Sequence, residues 1–230
     1  MKYENIKEGK FISRPNRFIA YVEIDGKTEI VHVKNTGRCR ELLLPGARVF
    51  LEESKNSARK TKFDLVAVYK GDVLVNMDSQ APNKVFYEWA KEYFGKSAQI
   101  RPETKYKNSR FDCYIEVDGR KIFAEVKGVT LEEKGVASFP DAPTERGVKH
   151  IEELICAVSE GYEAYIFFVV QMKGIKYFTP NYKTHRVFAE TLAKAKEKGV
   201  NIVCVDCKVS TDELFIDGFL EVAFEENSNI

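Results

Sequence analysis

The hydrophobic repeat of this 230-residue chain changes once, at Ala81-Pro82-Asn83. Before that point apolar residues recur at every second position, and from it onward stretches of helical spacing enter as well. One layer cannot satisfy both periods, so two differently built parts are expected, residues 1–82 and residues 83–230. On the N-terminal side, "EIDGKTEIVHV" reads as a hairpin around Asp25-Gly26, which sets Glu23 against Thr28 and Val22 against Glu29. Pro45-Gly46 marks a turn before the strand "ARVFLEE", and "FDLVAVYKGDVLVNM" supplies two strands around Lys70-Gly71-Asp72. Short strands in series with no helical stripe predict a small antiparallel barrel of OB-like form. Such barrels often bind single-stranded nucleic acid, although a fold alone assigns no function.

The C-terminal part mixes periods. "NKVFYEWAKEYFG" places Val85, Phe86, Trp89, Ala90, Tyr93 and Phe94 on one helical stripe, with Gly95 as the stop. "TERGVKHIEELICAVSEG" repeats the pattern with Val148, Ile151, Leu154, Ile155 and Val158, between a Thr144 N-cap and a Gly161 stop. "YEAYIFFVV" is nearly all apolar, as a central strand covered on both faces should be. "THRVFAETLAKAKEKG" then reads as a capped helix and "VNIVCVD" as another buried strand. Helix, hairpin, helix, strand, helix, strand predicts an α/β sandwich, so the whole chain is α+β.

Within that part, "RFDCYIEVDGRKIFAEVKGV" (residues 110–129) is a hairpin around Asp118-Gly119 whose strands carry unexpected charge. A two-residue turn there pairs Val117 with Arg120 and, by continuation, Asp112 with Glu125 and Arg110 with Lys127. Alternation then puts Arg110, Asp112, Glu125 and Lys127 on one face. Like charges directly opposed in a sheet are destabilising. A divalent cation between the carboxylates would remove that penalty and leave room for water and phosphate. Cation, anion and lysine are together the parts needed for phosphodiester hydrolysis. A solvated polar face is the competing reading of the same pattern.

Composition sets limits without choosing. Hydrophobic residues at 44% can fill a substantial core, and 31% charged residues suit a water-facing surface. No apolar run is long enough to span a bilayer, and "MKYENIKEGK" has no apolar signal segment, so a cytoplasmic protein without a membrane partner is expected. Five cysteines (Cys39, Cys113, Cys156, Cys204, Cys207) are an odd, scattered set. They read as free thiols, and "CVDC" has no second Cys or His pair at zinc spacing. Residues 1–80 hold 15 basic and 11 acidic side chains, an excess of +4, while the remainder holds 21 and 24. That asymmetry suits a polyanion only weakly.

Asp112, twelve intervening residues and then Glu125-x-Lys127 resembles the PD-(D/E)xK nuclease core. With "NTGRCRELLLPGA", "RFDCYIEV", "EVKGVTL" and "FPDAPTERGVKHIEEL", the chain resembles the sugar fermentation stimulation protein A family along nearly its whole length. The resemblance implies an OB-like N-terminal domain and a restriction-endonuclease-like α/β/α sandwich with a mixed sheet. It implies sequence-non-specific binding of DNA, with RNA as a further partner, and a Mg²⁺- or Mn²⁺-dependent nuclease. A DNA-binding regulator of sugar (maltose) metabolism that has lost its chemistry is the alternative. Carried over, Asp112 and Glu125 are metal ligands and Lys127 the catalytic lysine, with Glu88 on the preceding helix as a further ligand. Helical spacing turns Glu88 away from the apolar stripe, where a plain solvated glutamate is equally expected. Phe111 stands where the motif's name has proline, a backbone departure rather than a chemical one.

Candidate nucleic-acid contacts come from four places. The helix start in "FPDAPTERG" offers Arg146 and Lys149 beside a natural phosphate position. Arg110 flanks the hairpin, "GRCR" supplies Arg38 and Arg40, and "KNSARKTK" supplies Lys55, Arg59, Lys60 and Lys62. His150 is read as a surface or capping residue. No sugar-kinase phosphate loop or paired-carboxylate glycosidase context is present.

Overall fold

A computed structural model describes residues 1–35, 37–56 and 58–224. The first part consists of β1 (Ile6–Ser13), β2 (Ile19–Ile24), β3 (Lys27–Val33), β4 (Arg48–Glu53), β5 (Phe63–Lys70) and β6 (Val73–Asn76). Their order is β3-β2-β1-β4-β5-β6, and a parallel pairing of β3 with β5 at His32–Asp64 and Val33–Leu65 closes the first five into a barrel. The β2–β3 register sets Glu23 against Thr28 and Val22 against Glu29, as the Asp-Gly turn predicts. The closure buries Asp64, which accepts from Arg59 through both oxygens (2.8 and 2.6 Å) and lies 2.9 Å from His32 Nδ1. Burial works against its charge, but the Arg59 and His32 contacts hold its pKa below the ordinary value.

The second part begins with α1 (Ala81–Phe94), which carries Pro82 in its first turn and ends at Gly95, where φ is +114°. It continues through β7 (Gln99–Tyr106), β8 (Ser109–Val117), β9 (Arg120–Val129), β10 (Glu132–Glu133) and β11 (Val136–Phe139). Then follow α2 (Glu145–Ser159), β12 (Glu163–Val170), β13 (Tyr177–Pro180), α3 (Tyr182–Glu197), β14 (Asn201–Val209) and β15 (Leu214–Leu220). The main sheet runs β15-β14-β12-β9-β8-β7, parallel at its centre and antiparallel at both edges. β12 is the strand covered on both faces: Ile166, Phe168 and Val170 join α2 and α3, while Tyr165, Phe167 and Val169 join α1. The result is a three-layer α/β/α sandwich with a mixed sheet. β10, β11 and β13 form a small separate sheet.

The two parts share one core, since barrel residues such as Phe11 and Val68 belong to the same buried cluster as Leu154 and Phe168. A buried polar seam fixes their junction. Asn76 N–H donates to Gln171 O (2.9 Å), while Gln171 Nε2 donates to Asn76 Oδ1 (2.8 Å) and Asp78 O (3.0 Å). Lys34 pairs with the fully buried Asp78 carboxylate at 2.7 Å. Residues 1–3 leave the barrel altogether: Tyr3 N donates to Asp212 O (2.7 Å) and Leu214 N to Met1 O (3.0 Å).

The cysteines are free, four of them buried, and burial raises the Cys207 thiol to about 12, as expected of packing groups. Among the described residues no helix is long and apolar enough to cross a membrane.

Gly128 is required by packing rather than by conformation. A Cβ there would lie 2.6 Å from Pro82 Cγ and 2.7 Å from Gln171 Oε1, where α1, β9 and the seam converge. Gly128→Ala should cost about 1–3 kcal/mol and lower the thermal midpoint by roughly 2–4 °C per kcal/mol. Differential scanning calorimetry checks this.

Candidate active site

The hairpin predicted around Asp118-Gly119 forms with positive φ at both residues (+49° and +79°), the geometry of a tight two-residue turn. The ladder runs from Val117–Arg120 through Glu116–Lys121, Ile115–Ile122 and Tyr114–Phe123 to Cys113–Ala124. There it stops, one step short of the expected Asp112–Glu125 pair. Asp112 does not stand beside Glu125 as a cross-strand neighbour on one face. Its Oδ2 instead enters the gap between the strands and accepts from Val126 N–H at 2.7 Å, replacing a ladder bond. Asn83 Nδ2 in the first turn of α1 donates to Asp112 Oδ1 (2.9 Å), and the Tyr87 hydroxyl donates to the Asp112 carbonyl (2.7 Å). Helix α1 therefore draws Asp112 out of register, while Glu125 faces α2.

The extrapolated Arg110–Lys127 opposition fails for the same reason. Arg110 pairs with Lys105 of β7 and directs its exposed guanidinium at Glu103 (3.0 Å). Lys127 lies opposite Phe168 of β12.

Glu125 is 2% exposed. Its Oε1 accepts from Lys127 Nζ at 2.5 Å and from His150 Nδ1–H, while Oε2 is buried without a hydrogen-bond partner among the described residues. Burial opposes ionisation, but the His150 bond and the Lys127 charge outweigh it and hold the Glu125 pKa below its usual value. Asp112 moves the other way: burial and then the neighbouring Glu125 charge raise its pKa, partly offset by Val126 N–H. The two carboxylates thus lie close enough to repel, with one held ionised and the other pushed toward neutrality.

His150 is buried in α2 rather than on the surface, and Arg146 Nε donates to its Nε2 at 3.4 Å. Helical spacing held the signal: residues 147, 150, 151 and 154 make one inward face, and all four are buried. Thr144 caps α2 as predicted, accepting from Gly147 N at 3.1 Å. Lys149 stays on the surface, 3.9 Å from Glu153.

Glu88 is not brought together with Asp112 and Glu125. It lies on the outer side of α1, 59% exposed, and receives the Met1 ammonium at 2.7 Å. Among the described residues no group of three or more His, Cys, Asp and Glu side chains is arranged to hold a metal. Two hard carboxylates remain, Asp112 and Glu125, and the orphaned Glu125 Oε2 fits a divalent cation.

The basic candidates separate clearly. Lys55 pairs with Glu4, Arg59 is held by Asp64, and Lys62 meets Glu53 at 3.1 Å, leaving Lys60 alone of that loop without an ion pair among the described residues. Arg38 and Arg40 instead line a cleft of about 820 Å³ between the barrel and residues 141–143. Arg14 and Arg17, which the sequence reading missed, line it too. Arg14 is spent on structure, donating to the carbonyls of Arg17, Asn35, Gly37 and Arg38 (2.6–2.9 Å). Arg17, Arg38 and Arg40 carry no ion pair among the described residues. A second cleft of about 290 Å³ shares Gly37 and Asp141 with the first and reaches Gly128, next to Lys127.

Known proteins match this chain over nearly its whole length. Residues 12–77 match the SfsA N-terminal OB domain, and residues 80–213 match the sugar fermentation stimulation protein RE domain. A sugar fermentation stimulation protein homolog of Desulfitobacterium hafniense (strain DSM 10664 / DCB-2) is 61% identical over 227 residues, covering 98% of this chain and 100% of the relative. The Clostridium beijerinckii homolog is 59% identical over 224 residues, covering 96% and 99%. Among solved structures, Pyrococcus furiosus SfsA in complex with Ca²⁺ matches with a TM-score of 0.87 at 28% identity, covering 97% of this chain and 98% of that one. The chain belongs to the sugar fermentation stimulation protein (SfsA) family.

Proposed function

We propose that this protein binds DNA, and RNA as a further partner, without sequence preference, and that Asp112, Glu125 and Lys127 form a Mg²⁺- or Mn²⁺-dependent phosphodiesterase centre. The observation that carries this reading is Glu125 Oε2, a buried carboxylate oxygen without a partner among the described residues, on a carboxylate that Lys127 holds and whose charge is felt by Asp112. The Ca²⁺ complex of the P. furiosus relative supports a site for an oxygen-seeking cation in this family.

Asp112 and Glu125 would hold the ion, which when bound would supply Lewis-acid stabilisation of a phosphoryl oxygen and activation of water. The chain's own residues do the rest. The Lys127 side chain is 16% exposed, so its ammonium can turn from Glu125 toward a phosphate and stabilise developing charge. Arg146, exposed at the start of α2, can hold a neighbouring phosphate. Arg17, Arg38 and Arg40 offer the backbone a cationic wall free of ion pairs among the described residues, and Gly37 and Asp141 join their cleft to the second one, which reaches Gly128.

Among the described residues no third acidic side chain joins Asp112 and Glu125, and a DNA-binding regulator without chemistry is the competing reading. Purified protein with Mg²⁺ or Mn²⁺ should cut DNA or RNA. EDTA should stop cleavage, and Lys127→Ala should slow it about 10²–10³-fold or more. Binding without cleavage across substrates and metals would leave the regulator.

Binding should weaken steeply with salt. Arg38→Ala and Arg40→Ala should each flatten the log–log salt slope by about 0.7–0.9 per lost phosphate contact, whereas Lys55→Ala should leave it nearly unchanged. Fluorescence anisotropy titrations at several salt concentrations decide this.

Asp112 makes a further test possible. Because its folded pKa is raised, its favourable contribution exists below the ordinary carboxylate pKa and is lost as pH rises through the folded value. At neutral pH the charge therefore costs stability, and Asp112→Asn removes it, with Asn83 able to turn its amide to match. In EDTA at neutral pH the variant should melt higher than the parent, by roughly 2–4 °C per kcal/mol recovered. Added Mn²⁺ should no longer stabilise it.

A further inference from the structure

We propose that His150 is a positioning residue: it locks Glu125 Oε1 in place, so that Oε2 is the oxygen of that carboxylate left to a cation. The inference rests on the cation reading above and goes beyond it by assigning a role outside the Asp-Glu-Lys set.

Two donors hold Glu125 Oε1, and they differ in freedom. Lys127 reaches it on a flexible four-carbon stem from the same strand and is partly open to solvent. Its proposed work at phosphate requires it to let go. His150 cannot let go. Its side chain is 6% exposed, and its helix is seated by Ile151 and Leu154, both fully buried. Its ring packs edge-on to Phe111 at 6.3 Å. Arg146 Nε–H approaches Nε2, which fixes Nε2 as the acceptor and Nδ1 as the protonated nitrogen that donates to Glu125. When Lys127 turns to substrate, the imidazole alone keeps the carboxylate from rotating. Oε2 then stays directed into the space left without a protein partner. Partners of this kind commonly change metal affinity about 10–100-fold when removed.

The test separates the position of the donor from mere filling of the site. An asparagine amide can place N–H near the Nδ1 position, whereas a glutamine amide reaches nearer to Nε2. Isothermal titration calorimetry with Mn²⁺ on the full chain should find His150→Asn close to the parent, and His150→Gln and His150→Ala weaker by about 10–100-fold. Circular dichroism and thermal midpoints in EDTA should confirm that each variant is folded. In the metal-free parent, long-range ¹⁵N correlations should place the His150 proton on Nδ1, a readout that needs no variant. Equal affinity in all four proteins, equal loss in Asn and Gln variants, or a proton on Nε2 would overturn the assignment of His150 while leaving the cation site standing. If the parent itself binds no Mn²⁺, the cation reading and the His150 role fall together.

Discussion

A carboxylate kept ionised inside a sheet is the constraint around which the C-terminal part is arranged. Glu125 lies on a strand paired on both sides and roofed by α2, where an isolated charge would be driven to neutrality. Lys127 and His150 keep it charged, and each imposes an order on the chain. Lys127 must be two residues along the same strand. His150 must be on the inward face of α2, which fixes the rotation of that helix over the sheet. The apolar stripe and the Thr144 cap are set to the same rotation. Packing and electrostatics thus specify one placement of α2.

The seam between the two parts bears on the site because its hydrogen bonds reach both the end of β9 and the segment leading into α1. Gln171 follows the last residue of β12 and donates its N–H to Val129 O, two residues beyond Lys127. It also holds Asn76 and Asp78 of the segment leading into α1. Asn83, the residue that draws Asp112 from its register, is in the first turn of that helix. The barrel, the start of α1 and the end of β9 are therefore one mechanical unit, and the depth at which Asp112 sits depends on where the barrel hands the chain to the helix. A buried, fully paired polar seam suits this purpose, since any slip leaves amide groups unsatisfied.

What the sequence made legible follows from the range of the interactions involved. Asp-Gly turns act locally, so the pairs from Val117–Arg120 to Cys113–Ala124 could be read from spacing alone. The break at Asp112 could not, because it is made by Asn83, twenty-nine residues away. The outward face of Glu88 was legible from helical spacing, but its partner, the Met1 ammonium, is eighty-seven residues distant. Edge strands were the other loss. β7, "QIRPETKY", is mostly exposed and contains a proline, so it carries no apolar alternation to detect. β15, "LFIDGFL", alternates, yet no strand is expected from the sequence beyond "VNIVCVD". His150 was missed for a different reason: a polar residue on an apolar stripe was discounted, although its partner, Glu125, had already been singled out.

The opposite displacements of the two carboxylates follow from this arrangement rather than from their separate surroundings. Glu125 is provided with two donors, the Lys127 ammonium and the His150 imidazole, and its low pKa makes it the dominant negative neighbour of Asp112. Asp112 receives only neutral donors, Val126 N–H and Asn83. The more firmly Lys127 and His150 hold Glu125 ionised, the more unfavourable the charge on Asp112 becomes. A fold selected for stability alone would place a neutral side chain in that gap, where an asparagine would meet the same two groups. Retaining an acid there is consistent with a positive charge shared by both carboxylates during function, the condition under which their repulsion turns into a common attraction.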